Sequence, residues 1–290
     1  MTVMTLSGVS HSYEVVPSAS ALVTPAQPVI VFIHGWLLSR IYWRPLMHQL
    51  APDCTCVAYD LRGFGESDSR ANVGAADCQN EAYDLAAYAR DLKELLETLQ
   101  LSQVWLVGHS LGGSVALWAA HLFPERVRGV VCVNAGGGIY IDRAFTKFRQ
   151  AGQNLVRWRP RWLEAMPALP WLFTRLMVDR PLDYRWGKQR LADFLRADQA
   201  AALHSLLAST TEAEVHQLPR LVSQLAQPVY FIAGEQDMVM EPRYVRHLAS
   251  FHPTFREGHQ CVVGLERCGH FAMLEQTSAV AAQLRQWILA

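Results

Sequence analysis

Ser110 stands in Gly108-His109-Ser110-Leu111-Gly112, between an apolar run (Val104-Trp105-Leu106-Val107) and a helical pattern from Gly113 to Phe123 that Pro124 closes. A serine at a sharp strand-to-helix turn has its hydroxyl raised above the sheet, and flanking glycines let backbone pass where a Cβ would clash. That hydroxyl is a poor nucleophile until a base takes its proton, and the base needs an acid to orient it. Asp237 lies just past the apolar run Pro228 to Ala233, at the carboxyl end of a strand, where ligands bind in open α/β sheets. His270, in Cys268-Gly269-His270-Phe271, follows the last strand-like run. The chemistry expected of the three is acyl transfer. His270, oriented by Asp237, deprotonates Ser110; Ser110 attacks an ester carbonyl, and water then hydrolyses the acyl-enzyme. The backbone N–H groups of Leu111 and Trp36 are the expected oxyanion donors, and losing one such donor typically costs about 3–4 kcal/mol of barrier lowering.

Each role has a rival. Glu235 is the nearest alternative to Asp237. His109, beside the nucleophile, is expected to shape the turn, and His34 to hold the first loop by hydrogen bonds. His252 and His259 are expected at the surface.

These residues need a sheet to hold them. Pro28 to Ile33, Thr55 to Tyr59, Val104 to Val107, Val127 to Val133, Pro228 to Ala233 and a run near Gln260 to Leu265 read as strands. Ala82 to Gln100 has apolar residues at helical spacing, and a last helix is expected from Thr277 to Leu289. Continuous apolar strands separated by helices predict an α/β fold, a mostly parallel central sheet with helices on both faces. Residues 137–218 break the rhythm: they are helical in pattern and cut by Pro160, Pro167, Pro170 and Pro181. They are expected to form an inserted helical lid on a core made of residues 1–136 and 219–290.

A chain of 290 residues, 51% hydrophobic, can bury one large core, and a formal net charge of zero gives no reason to expect nucleic acid. Met1 to Ser20 lacks a basic stretch leading into an apolar one, so no secretory signal is expected. The six cysteines have no metal-like spacing. A reduced, cytoplasmic protein without metal or organic cofactor is expected.

His34-Gly35-Trp36, Asp60 to Asp68, Gly108 to Gly113, Gly234 to Asp237 and Gly269-His270-Phe271 stand in the order of the α/β-hydrolase fold family, which the chain resembles from about residue 28 onward. The resemblance implies Ser110, Asp237 and His270 as a catalytic triad. Some relatives place the acid after the preceding core strand, where this chain has Asn134. Asp60 to Asp68 is expected to be a structural turn made by Gly63 and Gly65. Relatives that are haloalkane dehalogenases or epoxide hydrolases use aspartate as nucleophile, whereas this turn carries Ser110. The segment from His34 to Trp43 looks more like the esterases and the cofactor-free haloperoxidase or perhydrolase group. A carbon–carbon hydrolase or lyase using the same residues stays open, as does a very slow hydrolase acting as a ligand sensor.

The insertion holds Trp158, Trp162, Trp171 and Trp186, with Met166, Phe173 and Met177. These side chains either pack it onto the core or line a pocket for an apolar acyl substrate. Between Ile139 and Arg190 nine arginines face only Asp142, Glu164, Asp179 and Asp183, and Arg157-Trp158-Arg159-Pro160-Arg161-Trp162 is the densest stretch. Solvated helix faces account for such charge; the sharper expectation is contact with an anionic membrane, tryptophans at the interface and arginines on phosphates.

Overall fold

The computed structural model describes residues 2–18, 27–69, 81–136 and 143–289. Cys78, Asp142 and the expected first residues of the lid (137–142) lie outside them. The chain opens with a hairpin that periodicity does not announce, β1 (Thr2–Leu6) and β2 (Val9–Val16). Ser7 and Gly8 both take positive φ, 50° and 76°, which suits a two-residue turn between right-twisted strands. Then come β3 (Val29–Ile33), α1 (Arg44–Leu50), β4 (Thr55–Tyr59), α2 (Leu85–Thr98), β5 (Val104–His109), α3 (Leu111–Leu122) and β6 (Val127–Val133). Among the described residues five α-helices and a 3-10 helix (Arg161–Ala165) separate β6 from the next strand, the α-helices being α4 (Arg143–Arg157), α5 (Leu169–Phe173), α6 (Tyr184–Arg196), α7 (Gln199–Ser209) and α8 (Glu212–Gln224). The chain finishes with β7 (Val229–Gly234), α9 (Pro242–Ala249), α10 (Pro253–Arg256), β8 (Val262–Leu265), α11 (Ala272–Glu275) and α12 (Thr277–Ile288).

The eight strands form one sheet in the order β1-β2-β4-β3-β5-β6-β7-β8. The hairpin joins antiparallel through β2 and β4, and every later pair is parallel. Side chains alternate across a strand, so a run that is apolar throughout must be covered on both sides. Val31 and Ile33 of β3 enter one hydrophobic cluster with Leu92, Leu96 and Val115 of α2 and α3. Their neighbours Ile30 and Phe32 enter the other, with Leu46, Val280 and Leu284 of α1 and α12. Two cores therefore flank the sheet.

The helices between β6 and β7 are tied down by polar hooks. The Trp36 indole donates to the Ala202 carbonyl of α7 (2.8 Å), Asp198 N donates to Gly63 O (2.8 Å), and the Trp118 indole donates to Glu214 of α8 (2.6 Å). Ser39 Oγ, in the loop after β3, donates to Asp193 of α6 (2.9 Å), which also accepts from Gln189 (2.9 Å). The expected core boundary at 218/219 falls inside α8, whose Leu218, Leu221 and Val222 are buried in the core. Trp186 stacks on Tyr42 at 5.6 Å and so packs these helices on the core, whereas Phe173 packs on Phe194 at 5.9 Å, one helix of the group against another. No helix among the described residues is long and apolar enough to cross a membrane.

One sequence expectation fails. His252 is buried, not on the surface: Nδ1 caps α10 by accepting from Thr254 N (3.2 Å), and Nε2 bonds Gln227 O (3.0 Å). Nothing in its local sequence discloses that partner, which lies 25 residues away. His259 is exposed, as expected.

Burial pushes the Asp193 carboxyl up to about 7, the hydrogen bonds from Gln189 and Ser39 offsetting only part of that cost. Its folded pKa thus exceeds the value of about 3.9 in an unfolded chain, so rising pH between the two weakens the fold. Asp193→Asn is expected to be more stable than the parent at about pH 8, with the difference closing by about pH 4. Urea melts across that range check this; an unchanged difference would mean Asp193 ionises normally.

Candidate active site

β5 delivers the chain to Ser110 and α3 carries it away, with no room for an ordinary turn. Ser110 takes φ 50° and ψ −120°, a conformation that costs a non-glycine residue about 1–3 kcal/mol. Ser110 N donates to Val133 O (3.1 Å), and Gly113 N returns to Ser110 O (2.9 Å). A Cβ on Gly108 would lie 2.2 Å from Gly112 O, and one on Gly112 would lie 2.3 Å from Ile33 O. The glycines are thus required by close approach. Between Val104 and Gly113 every residue is buried except Ser110, which keeps partial access to solvent.

β7 ends at Gly234, and Asp237 follows on its loop. The carboxylate accepts four hydrogen bonds: Oδ2 from His270 Nδ1 (2.7 Å) and Asn134 Nδ2 (2.9 Å), Oδ1 from Val239 N (2.8 Å) and Met240 N (2.9 Å). Burial raises its pKa, but the His270 ring and the two backbone donors outweigh this and hold it below the ordinary carboxylate range. Since Nδ1 donates to Asp237, Nε2 of His270 is the ring nitrogen left to accept a proton. The rival Glu235 turns away and pairs with Arg246.

The structure brings Asp237 and His270 into direct contact. It joins Ser110 to them through its neighbour. His109 lies 4.8 Å from His270, ring to ring, and its Nε2 donates to the His270 carbonyl (2.7 Å). Burial, helped by the nearby His270, drives the His109 pKa down to about 3, so this donor is neutral and structural. Among the described residues no hydrogen bond joins Ser110 Oγ to His270, a contact that often tightens only when substrate is bound.

His34 holds its loop as expected: Nδ1 donates to Gly35 O (2.8 Å), and Nε2 accepts from Leu61 N (2.9 Å). Trp36 N belongs to that loop and Leu111 N begins α3, and Gly112 pressed against the Ile33 and His34 carbonyls fixes one against the other. Asp60 to Asp68 is a structural turn, with Gly63 and Gly65 at φ 78° and 59° and buried Asp60 paired to Arg40.

Sequence reasoning missed two site residues. Asn134, noted only as filling another acid's place, links Asp237 to the histidine loop by donating also to Gly269 O (3.1 Å). Glu275 is the second. Its carboxylate accepts from Gly269 N (3.0 Å) and Phe271 N (3.1 Å), on either side of His270, and from Asp179 N (2.8 Å) and Arg180 N (3.2 Å) of the insertion. His270 N itself donates to Met177 O (2.8 Å). A glutamate five residues after a histidine is the one local signal for this role. Arg190 adds a further tie, its guanidinium 4.3 Å above the Phe271 ring.

The pattern of the alpha/beta hydrolase fold family matches residues 28–277, and the chain belongs to that family. An uncharacterized protein of Mycobacterium tuberculosis is 40% identical over 110 residues, which is 38% of this chain and only 30% of that relative's length. A 2-succinyl-6-hydroxy-2,4-cyclohexadiene-1-carboxylate synthase of Salmonella paratyphi A is 28% identical over 247 residues, covering 81% of this chain and 88% of the relative. Among solved structures, an esterase from Exiguobacterium antarcticum superposes with a TM-score of 0.78 at 17% identity, covering 100% of this chain and 99% of the other. That likeness speaks for the fold.

Glu275→Ala leaves four N–H donors without their acceptor and is expected to cost about 2–4 kcal/mol in urea unfolding. Glu275→Gln, which keeps one acceptor oxygen, is expected to cost less; equal losses would place the effect elsewhere. The depressed Asp237 pKa stabilises the fold above the unfolded carboxylate value, and that share disappears as pH falls through the lower folded value. Asp237→Asn is therefore expected to flatten the acid limb of the stability profile below about pH 4.

Proposed function

We propose that the chain is a serine hydrolase that cleaves a carboxylic ester, or a related acyl bond, of a small apolar substrate. Ser110 is the nucleophile, His270 the general base and then acid, and Asp237 the carboxylate that fixes the ring and stabilises its charged form. The Trp36 and Leu111 amides receive the oxyanion, and the helices from α4 to α8 form a lid over the site. The observation that carries this reading is the 2.7 Å hydrogen bond from His270 to a buried, ionised Asp237, tied through His109 to the strained turn at Ser110. Each step needs only groups present in the chain. His270 Nε2 takes the Ser110 proton as Oγ bonds the carbonyl carbon, then returns it to the departing alcohol. Water attacks the acyl-enzyme by the same route in reverse.

The likeness to a synthase favours a second reading, in which Asp237 and His270 act as a base in carbon–carbon bond chemistry without an acyl-enzyme. A cytoplasmic setting goes with either reading, supported by five buried free thiols, Cys54, Cys56, Cys132, Cys261 and Cys268.

The test is steady-state hydrolysis of p-nitrophenyl esters from acetate to long acyl chains. Ser110→Ala is expected to lose about a thousandfold or more in kcat/KM, with the chain-length optimum sizing the pocket. Equal rates in both proteins would remove Ser110 from the mechanism. Inactivity on every ester, with cleavage of a dicarbonyl compound, would select the second reading.

A further inference from the structure

Apolar side chains that pack an insertion onto its core should be buried. Phe173 and Trp186 are half-buried against Phe194 and Tyr42, but their neighbours have no such cover. Leu155, Trp158, Trp162, Met166, Trp171, Leu172, Leu176 and Met177 are all exposed, the tryptophans at 68%, 57% and 55%. These eight fall within 23 consecutive residues and make up most of the exposed large apolar side chains among the described residues. Trp158 and Trp162 meet edge to face at 6.3 Å, so at least this pair forms one patch. Three exposed tryptophans and five exposed aliphatic side chains in so short a stretch are unusual on a surface that faces only water.

The charges beside it decide what it meets. From Leu155 to Arg180 the chain has five arginines against Glu164 and Asp179. Arg157, Arg175 and Arg180 are exposed and form no ion pair among the described residues. Arg159 is different: it donates to Val156 O (2.9 Å) and Phe194 O (2.6 Å) and is consumed in holding the helices together. Tryptophan prefers the boundary between lipid tails and headgroups, and unpaired arginines beside it suit phosphates of negative net charge. A protein partner's acidic face would match the cations but would leave the indoles without an apolar layer.

We propose that the exposed face running from Leu155 to Arg180 docks on the surface of an anionic phospholipid bilayer, with Trp158, Trp162 and Trp171 at the headgroup boundary and Arg157, Arg175 and Arg180 on phosphates. The face is not remote from the chemistry, since the same strand of chain ends at Met177, whose carbonyl holds His270 N at 2.8 Å. Docking belongs to this face and not to Ser110, so the proposal stands apart from the ester-hydrolase reading.

The experiment is vesicle flotation of the full chain with phosphatidylcholine alone and with phosphatidylcholine containing phosphatidylglycerol. Binding is expected with phosphatidylglycerol at low salt and weakens as salt rises. Arg157→Gln, Arg175→Gln and Arg180→Gln combined are expected to lower the partition coefficient by at least about tenfold. Trp158→Ser with Trp162→Ser is expected to weaken binding even at low salt, with thermal melts confirming that both variants fold. Ser110→Ala is expected to float like the parent, which separates this result from any failure of the esterase assay. No flotation of the parent, or equal flotation of parent and variants, overturns the proposal. So does mass by sedimentation showing a dimer that the tryptophan variants abolish, which would assign the face to a second copy of the chain.

Discussion

The turn at Ser110 is the constraint around which the rest is arranged. A non-glycine residue holds φ 50° there only because its surroundings leave no alternative. Val133 O fixes its amide, and Gly112 lies so close to the Ile33 and His34 carbonyls that no other residue fits. The same contact docks the start of α3 on the end of β3. One packing event thus sets Ser110, the loop bearing Trp36 and the helix end bearing the Leu111 amide. The apolar strands on both sides, buried between two cores, supply the rigidity that keeps this strain from relaxing.

Around that turn the loops are joined by buried polar groups, and magnitude separates the important ties from the incidental ones. Arg40 and Asp60, both buried, clamp the loop after β3 to the loop after β4. Removing one partner of such a pair costs about 3–5 kcal/mol, because a charge is left alone in a dry environment. The exposed pair Lys93 with Glu97 contributes about half a kcal/mol at most. Buried Asp237 belongs with the first kind, and half-buried Glu275 stands between the two. Each carboxylate accepts four N–H donors, and between them they hold His270 by its ring and by the amides of its two neighbours.

Glu275 also makes the chain between β6 and β7 part of the support for His270. Met177 adopts φ 61° and presents its carbonyl to His270, while the next two amides but one, those of Asp179 and Arg180, reach Glu275. The inward side of these helices is polar and specific, as the Trp36, Ser39 and Trp118 hydrogen bonds attest. Their outward side is aromatic and cationic. The two sides answer to different environments, which is why the insertion's composition departs from that of the core.

Local pattern determined much of this protein. The parallel strands, the turn glycines and the order Ser110, Asp237, His270 are legible because each depends on neighbours within a few residues or on the two-residue period of a strand. The resemblance carried by His34-Gly35-Trp36 and Gly269-His270-Phe271 rests on the same short motifs. The hairpin of β1 and β2 was not legible, because β1 is mostly exposed and lacks an apolar run. The burial of His252, the two-sided role of Glu275 and the division between half-buried Trp186 and exposed Trp158, Trp162 and Trp171 were decided by tertiary structure alone. Each depends on a partner distant in sequence, 96 residues away for Glu275 and Asp179, and a residue type does not disclose which surface the fold will place against it.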